Sequence, residues 1–178
     1  MAWTAPMTAV AGAAFTAAQF NTYIRDNLME TAPAKATQSG SFFVGAGPNQ
    51  IVERVPTDQM VAATQTTSST NYTDLATAGP TITLETGAKA LVSLVCKGTH
   101  NMNNGSLFMS LEVSGATDIE ASDDYALQHD IGLAENNERK GISYVVTLNP
   151  GLNTFTCKYR VHVGTGTFWR RQLSIIPF

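Results

Sequence analysis

The hydrophobic and polar positions of this chain follow two different periods. From about residue 58 onward the chain reads in twos. In TFTCKYRVHV, Phe155, Cys157, Tyr159, Val161 and Val163 alternate with Thr154, Thr156, Lys158, Arg160 and His162, so the two sets lie on opposite faces of a strand. SLFMSLEV repeats the pattern, with Leu107, Met109, Leu111 and Val113 on the core side. The spacing predicts strands over residues 59–65, 70–76, 81–85, 89–97, 106–114, 125–129, 141–148, 154–163 and 167–176, with turns at NNGS, SGAT, NPGLN and GTGT. Roughly eight or nine short strands predict a mainly-β fold, an antiparallel β-sandwich of jelly-roll type.

Near the N-terminus the period changes to threes and fours. In FTAAQFNTYIRDNL, Thr16 and Gln19 have the spacing of a capping box, and Phe15 and Phe20 that of a hydrophobic staple. Phe20, Tyr23, Ile24 and Leu28 fall on one stripe, with Asn21, Arg25 and Asp26 off it. Pro33 disfavours helical geometry at Ala32 and is read as the stop. A helix of roughly 14 residues spans about 21 Å. At that length it is marginal alone in water, so its stripe has to dock on something. Three regions follow: an arm and helix over 1–32, a Gly/Pro-punctuated connector over 33–57 with the apolar runs SFFVG and QIVERV, and the β-sandwich over 58–178.

Composition narrows the function. Hydrophobic residues make up 43% of the 178, which allows a core, while charged residues are only 14%, well below the usual quarter. A net charge of -3 gives no electrostatic footprint for nucleic acid or an anionic membrane. The opening MAWTAPMTAVAGAAF lacks a basic region and its apolar run is broken by Pro6, so it is not read as a signal peptide, and synthesis in a cytoplasm is expected. In that reducing setting Cys96 and Cys157 are read as two buried free thiols.

Candidate chemistry is thin. His100, His129 and His162 are isolated, without the spacing of metal ligands. The acidic stretch IEASDD, with Glu120, Asp123 and Asp124, offers oxygen ligands but not the alternating spacing of a calcium loop, so a solvated turn is the better reading. Gly164-Thr165-Gly166 lies between two predicted strands with no Lys-Ser/Thr after it, and is read as a hairpin turn and not a phosphate loop. Arg170 and Arg171 are neighbours on a strand and so face opposite ways: one outward, the other stacked beside an aromatic residue. A structural or binding module is expected in place of an enzyme, with no catalytic residue, cofactor or metal.

The segments AWTAP, FTAAQFNTYIRDNLMETAPAKAT and GSFFVGAGPNQIVERVP resemble the N-terminal part of small virion structural proteins of tailed bacteriophages. The closing run LNPGLNTFTCKYRVHVGTGTFWRRQLSIIPF resembles the last strands of jelly-roll modules on phage fibres and capsid decorations. The two matched segments together span about half the chain. The resemblance implies a virion-surface protein made in the host cytoplasm, a homotrimer whose partners are its own copies and a major capsid or tail protein. A displayed face that binds host cell-surface glycan is a further implied partner. It carries an attachment role onto Trp3, Phe15, Phe20, Tyr23, Ile24, Arg25 and Leu28. The shortness of the chain favours a compact capsid decoration or short head fibre. The alternatives are a receptor-binding tail fibre or baseplate protein and a carbohydrate-active enzyme on a jelly-roll scaffold.

Overall fold

The computed structural model describes residues 3–178, and these divide into two compact units, one running to Val55 and the other spanning Pro56–Pro177. In the first, the capping box forms as the sequence predicts. Thr16 accepts from the Gln19 backbone and the Gln19 side chain accepts from the Thr16 N–H. Phe15 and Phe20 meet edge-to-face at 6.3 Å, completing the staple. The helix is not uniform: α1 (Ala17–Phe20) passes through a π-helical turn (Asn21–Arg25) into α2 (Asp26–Met29). Pro33 is not the stop. The helix has already ended at Glu30, and Pro33 lies in the first turn of α3 (Ala32–Lys35), where its missing N–H costs nothing. The two apolar runs of the connector pair as an antiparallel hairpin, β1 (Phe42–Gly47) with β2 (Gln50–Arg54), turning at Asn49 with φ 56°.

The second unit is an antiparallel β-sandwich. Its strands are β3 (Thr57–Val61), β4 (Gln65–Thr67), β5 (Thr81–Thr86), β6 (Lys89–His100), β7 (Gly105–Gly115), β8 (Leu127–Ile131), β9 (Glu138–Thr147), β10 (Gly151–Val161) and β11 (Gly166–Pro177). One sheet has the order β5-β10-β7-β8 and the other β3-β11-β6-β9, with β4 extending the β11 edge. Strands pair from the outside inward: β3 with β11, β5 with β10, β6 with β9, β7 with β8. That is a long hairpin rolled on itself, closed by the pairings β11–β6 and β10–β7. This is the jelly-roll topology.

Side-chain alternation builds the core between the sheets. Phe155, Cys157, Tyr159 and Val161 of β10 are fully buried, as are Leu107, Met109, Leu111 and Val113 of β7. They pack with Val92, Leu94 and Cys96 of β6 and with Phe168, Leu173 and Ile175 of β11. Val163 does not belong to this set. It lies past the end of β10 and is 44% exposed.

Three strand expectations change, each for a local reason. The predicted 59–65 strand breaks into β3 and β4, because the Ala63 carbonyl turns to accept from Arg171. Over 70–76 only Thr73 pairs, bridging Tyr159, since Ser69 and Asn71 bond each other and bend the chain. The Gly164-Thr165-Gly166 turn does not close a hairpin: β10 and β11 belong to different sheets, so the segment arches across the sandwich. A one-residue bulge between Trp169 and Gln172, with Arg170 at φ 47°, shifts the inward phase from Gly166 and Phe168 to Arg171, Leu173 and Ile175.

Candidate attachment surface

In the N-terminal unit the arm is held by one side chain that sequence reasoning passed over. The Thr4 N–H donates to Asn27 Oδ1 at 2.8 Å, and Asn27 Nδ2 donates to the Thr4 carbonyl at 2.9 Å and to the Tyr23 carbonyl at 3.1 Å. Asn27 thus pairs with the arm as a neighbouring strand would, and it is the one buried side chain of α1, the π turn and α2. Its signal in the sequence is an amide four residues after Tyr23, on the side opposite the charged pair. The Trp3 N–H reaches Asn49 of the hairpin turn at 2.9 Å. Lys35 ties α3 to β2, pairing with Glu30 at 2.7 Å and donating to the Ile51 carbonyl at 3.0 Å. Glu53 accepts from the Ser41 and Thr37 hydroxyls and from the Thr37 and Gln38 backbone, and these bonds, Ser41's first, hold its carboxyl down at about 2.

Around that scaffold the predicted attachment residues separate. Tyr23 does not share the exposure of the stripe. It turns toward the arm, lining a small apolar pocket with Pro6, Met7, Ala9, Phe15 and Ile24. Phe20, Ile24 and Leu28 remain open, 48%, 39% and 60% exposed, and Phe15 and Met29 are exposed as well. Trp3 is also exposed, and Arg25 lies off the stripe, engaged with Asp26 at 2.7 Å. The outcome is a pre-formed helix whose large apolar side chains face outward.

In the sandwich the clusters around Arg160, Lys158 and His100 are satisfied structural devices. Arg160 grips Asp123 through two nitrogens and lies over the Phe108 ring at 3.8 Å, while the Tyr72 hydroxyl donates to Asp123 at 2.6 Å. Arg160, then Tyr72, hold the Asp123 carboxyl below the usual range. The acidic stretch thereby pins the 119–126 loop. Lys158 pairs with Asp74 at 3.0 Å and Glu112 at 3.4 Å. His100 is buried, bonded to the Val163 carbonyl at 2.6 Å and accepting from the Met102 N–H at 3.1 Å. His129 is buried with neither ring nitrogen partnered, and burial, with Lys140 nearby, lowers it to about 4. Among the described residues, no three His, Cys, Asp or Glu side chains gather as a metal cage.

Arg171 is fully buried, without a carboxylate. It donates to the Thr77 carbonyl at 2.9 Å and the Gly79 carbonyl at 3.3 Å, with its guanidinium 5.3 Å from the Tyr159 ring. The aromatic partner expected for one of the two arginines is therefore Tyr159. Cys96 and Cys157 are both buried free thiols, and burial pushes Cys96 up to about 12, far from reactive thiolate. Among the described residues no helix is long and apolar enough to cross a membrane.

No protein-family model matches the chain, and no curated protein matches its sequence. Several solved structures are similar in fold. VP2 of the infectious bursal disease virus subviral particle is 12% identical, covering 74% of this chain and 36% of its own, at a TM-score of 0.46. The Eiger TNF of S. frugiperda is 7% identical, covering 70% of this chain and 92% of its own, at 0.48. An Arthrobacter globiformis T6 isomalto-dextranase complexed with panose is 14% identical, covering 74% and 26%, at 0.38. The chain thus spans about a third of the length of the VP2 chain, and none of the three reaches a TM-score of 0.5.

Proposed function

We propose that the chain is a virion structural protein, a trimeric capsid decoration or short head fibre that attaches through its N-terminal arm and helix. One observation carries the reading: a helix whose N-terminus is fixed by its own capping box leaves Phe20, Ile24 and Leu28 exposed. A stripe of that kind is costly to leave in water, since each such side chain is worth about 1.5–3 kcal/mol when buried. The likeness of the arm, helix and connector sequences to phage virion proteins supplies the biological context. Three stripes meeting on a threefold axis, or one stripe seated on a capsid or tail protein, would remove that surface from water. The sandwich is then the displayed body, and the role is mechanical and adhesive.

Replacing Phe20 and Ile24 together by Asp tests this. The expected result is loss of the chain from particles separated on a density gradient, with the thermal melting of the sandwich unchanged. Incorporation at the original level would show that the helix is not the anchor.

A further inference from the structure

The two buried histidines of the sandwich differ in one respect. His100 has both ring nitrogens engaged, one with the Val163 carbonyl and one with the Met102 N–H. His129 is as deeply buried, with no hydrogen-bond partner at Nδ1 or Nε2. Buried polar groups left so are rare, and each needs a reason. The place of His129 in the fold supplies one. β8 has only five residues and is the last strand of its sheet, paired along one side with β7. β9 is the last strand of the other sheet, paired along one side with β6. These two edge strands pack against each other and close one flank of the sandwich, but share no ladder hydrogen bonds. Leu127, His129 and Ile131 are the inward residues of β8, so an imidazole stands in the middle of an apolar row.

We propose that His129 makes β8 an acid-released strand: protonation of its ring detaches β8 from the flank while the other strands stay folded. The inference concerns the sandwich and does not rest on the attachment reading. A neutral imidazole fits an apolar row at the cost of its unmade hydrogen bonds. An imidazolium does not, because two N–H donors and a charge would be buried without an acceptor.

The groups around the ring do not supply that acceptor. From β9, Lys140 repels the added charge, and Glu138, which attracts it, is paired with Lys140 at 3.2 Å. On β8 itself, Asp130 is held by the Ser106 hydroxyl and the Gln128 amide, each at 2.7 Å. β6 turns inward Cys96, which burial keeps a neutral thiol, and His100, which has its own two partners. β7 sets Leu107 opposite His129, with Met109 buried beyond it. Water is then the nearest partner, and the shortest way to it is outward between β8 and β9. The strand that has to move is held by five residue pairs, and its release spares the long β10–β7 and β11–β6 ladders. The ring titrates near 4 when buried and near 6.5 in water, so the opening equilibrium should rise about fifty-fold between pH 7.5 and 4.5.

Hydrogen exchange read by mass spectrometry on the full chain, as protection factors at pH 7.5 and 4.5, tests this. The expected result is a loss of protection of about fifty-fold over residues 127–131, with residues 153–161 of β10 and 138–147 of β9 unchanged. His129→Leu should abolish the loss. Lys140→Gln should move the release to higher pH and Glu138→Gln to lower pH, since one removes a repelling charge and the other an attracting one. Their side chains are 40% and 27% exposed, so these two variants keep the test open even where His129→Leu does not fold. Protection lost evenly across the sandwich, or kept over 127–131 at pH 4.5, would overturn the proposal. So would release that persists in His129→Leu, which would belong to His100, or shifts of the same sign in the Lys140 and Glu138 variants.

Discussion

Between Ala17 and Met29 the only buried side chain is Asn27, whereas in β10 every second residue from Asn153 to Val161 is fully buried. The N-terminal unit is held by caps, a staple, an amide clamp and a few ion pairs, most of them reaching only a few residues along the chain. The sandwich is held by apolar contacts between residues far apart in sequence, such as Leu107 opposite Val161 and Ile82 opposite Phe155. The first unit can therefore lose one interaction and fray locally. The second loses cooperativity as a whole. This difference suits an attachment element that completes itself on a partner beside a body that is complete already.

The two tryptophans let each unit be watched separately: with Trp169→Phe the emission reports Trp3 of the arm, and with Trp3→Phe it reports the sandwich. The largest effect expected is from Phe155→Ala. Removing a fully buried ring between the sheets should cost about 3–5 kcal/mol. Denaturant melting followed at Trp169 would show it, with the Trp3 signal of the arm unmoved. Equal shifts in both signals would mean that the two units unfold as one.

Acid should separate them next. All three histidines lie in the sandwich, and His129 is held near 4 against an unfolded value near 6.5. The folded state binds its proton less readily than the unfolded chain. The stability due to neutral His129 is thus complete above about pH 6.5 and is lost as pH falls toward 4, on the order of 2–3 kcal/mol. The groups that set its field are Lys140, Glu138 and Asp130. His129→Leu should flatten this part of the stability–pH curve, and a curve of unchanged slope would remove His129 as its source. In the N-terminal unit, Glu53 is held near 2, so its contribution is complete above the usual carboxylate range and is lost as pH falls from that range through about 2. Between pH 6.5 and 4.5 the sandwich should weaken while the Glu53 loop holds.

Smaller changes belong to the first unit. Asn27→Ala removes the three hydrogen bonds of the clamp and leaves the Thr4 backbone groups to water, which should cost about 1–3 kcal/mol locally. Limited proteolysis should then cut within residues 4–15 many times faster, with the sandwich melting point unchanged. Thr16→Ala, which removes the N-cap hydroxyl, should cost about 1 kcal/mol of helix stability. Amide hydrogen exchange at Gln19 is the readout, and unchanged protection there would mean that the cap contributes nothing.

Much of this was legible along the chain. The capping box, the staple, the alternating faces of β7 and β10, the buried thiols and the mainly-β class are all short-range patterns, set by periodicity and by side chains three or four residues apart. The exposed Phe20, Ile24 and Leu28 were legible as a stripe, but Tyr23 was not separable from them, because the π turn and the arm's approach decide which way it points. Asn27 was invisible as a clamp because its partner is twenty-three residues away. Arg171 could be assigned an inward course only once the bulge at Arg170 fixed its phase, and the carbonyls it binds lie over ninety residues back along the chain.

Local sequence determined the identity of most elements, since helix caps and strand alternation depend on neighbours within a few residues. It did not determine which strands meet. In the sandwich β7 and β8 are consecutive and share a sheet, whereas the turns after β5, β6, β8, β9 and β10 each carry the chain from one sheet to the other. An alternating strand pattern is satisfied by any partner that covers its apolar face, so the pattern cannot choose among partners. The tertiary structure chooses, by the one arrangement in which both apolar faces close on each other and the outward rows of β3, β11, β6 and β9 come into register.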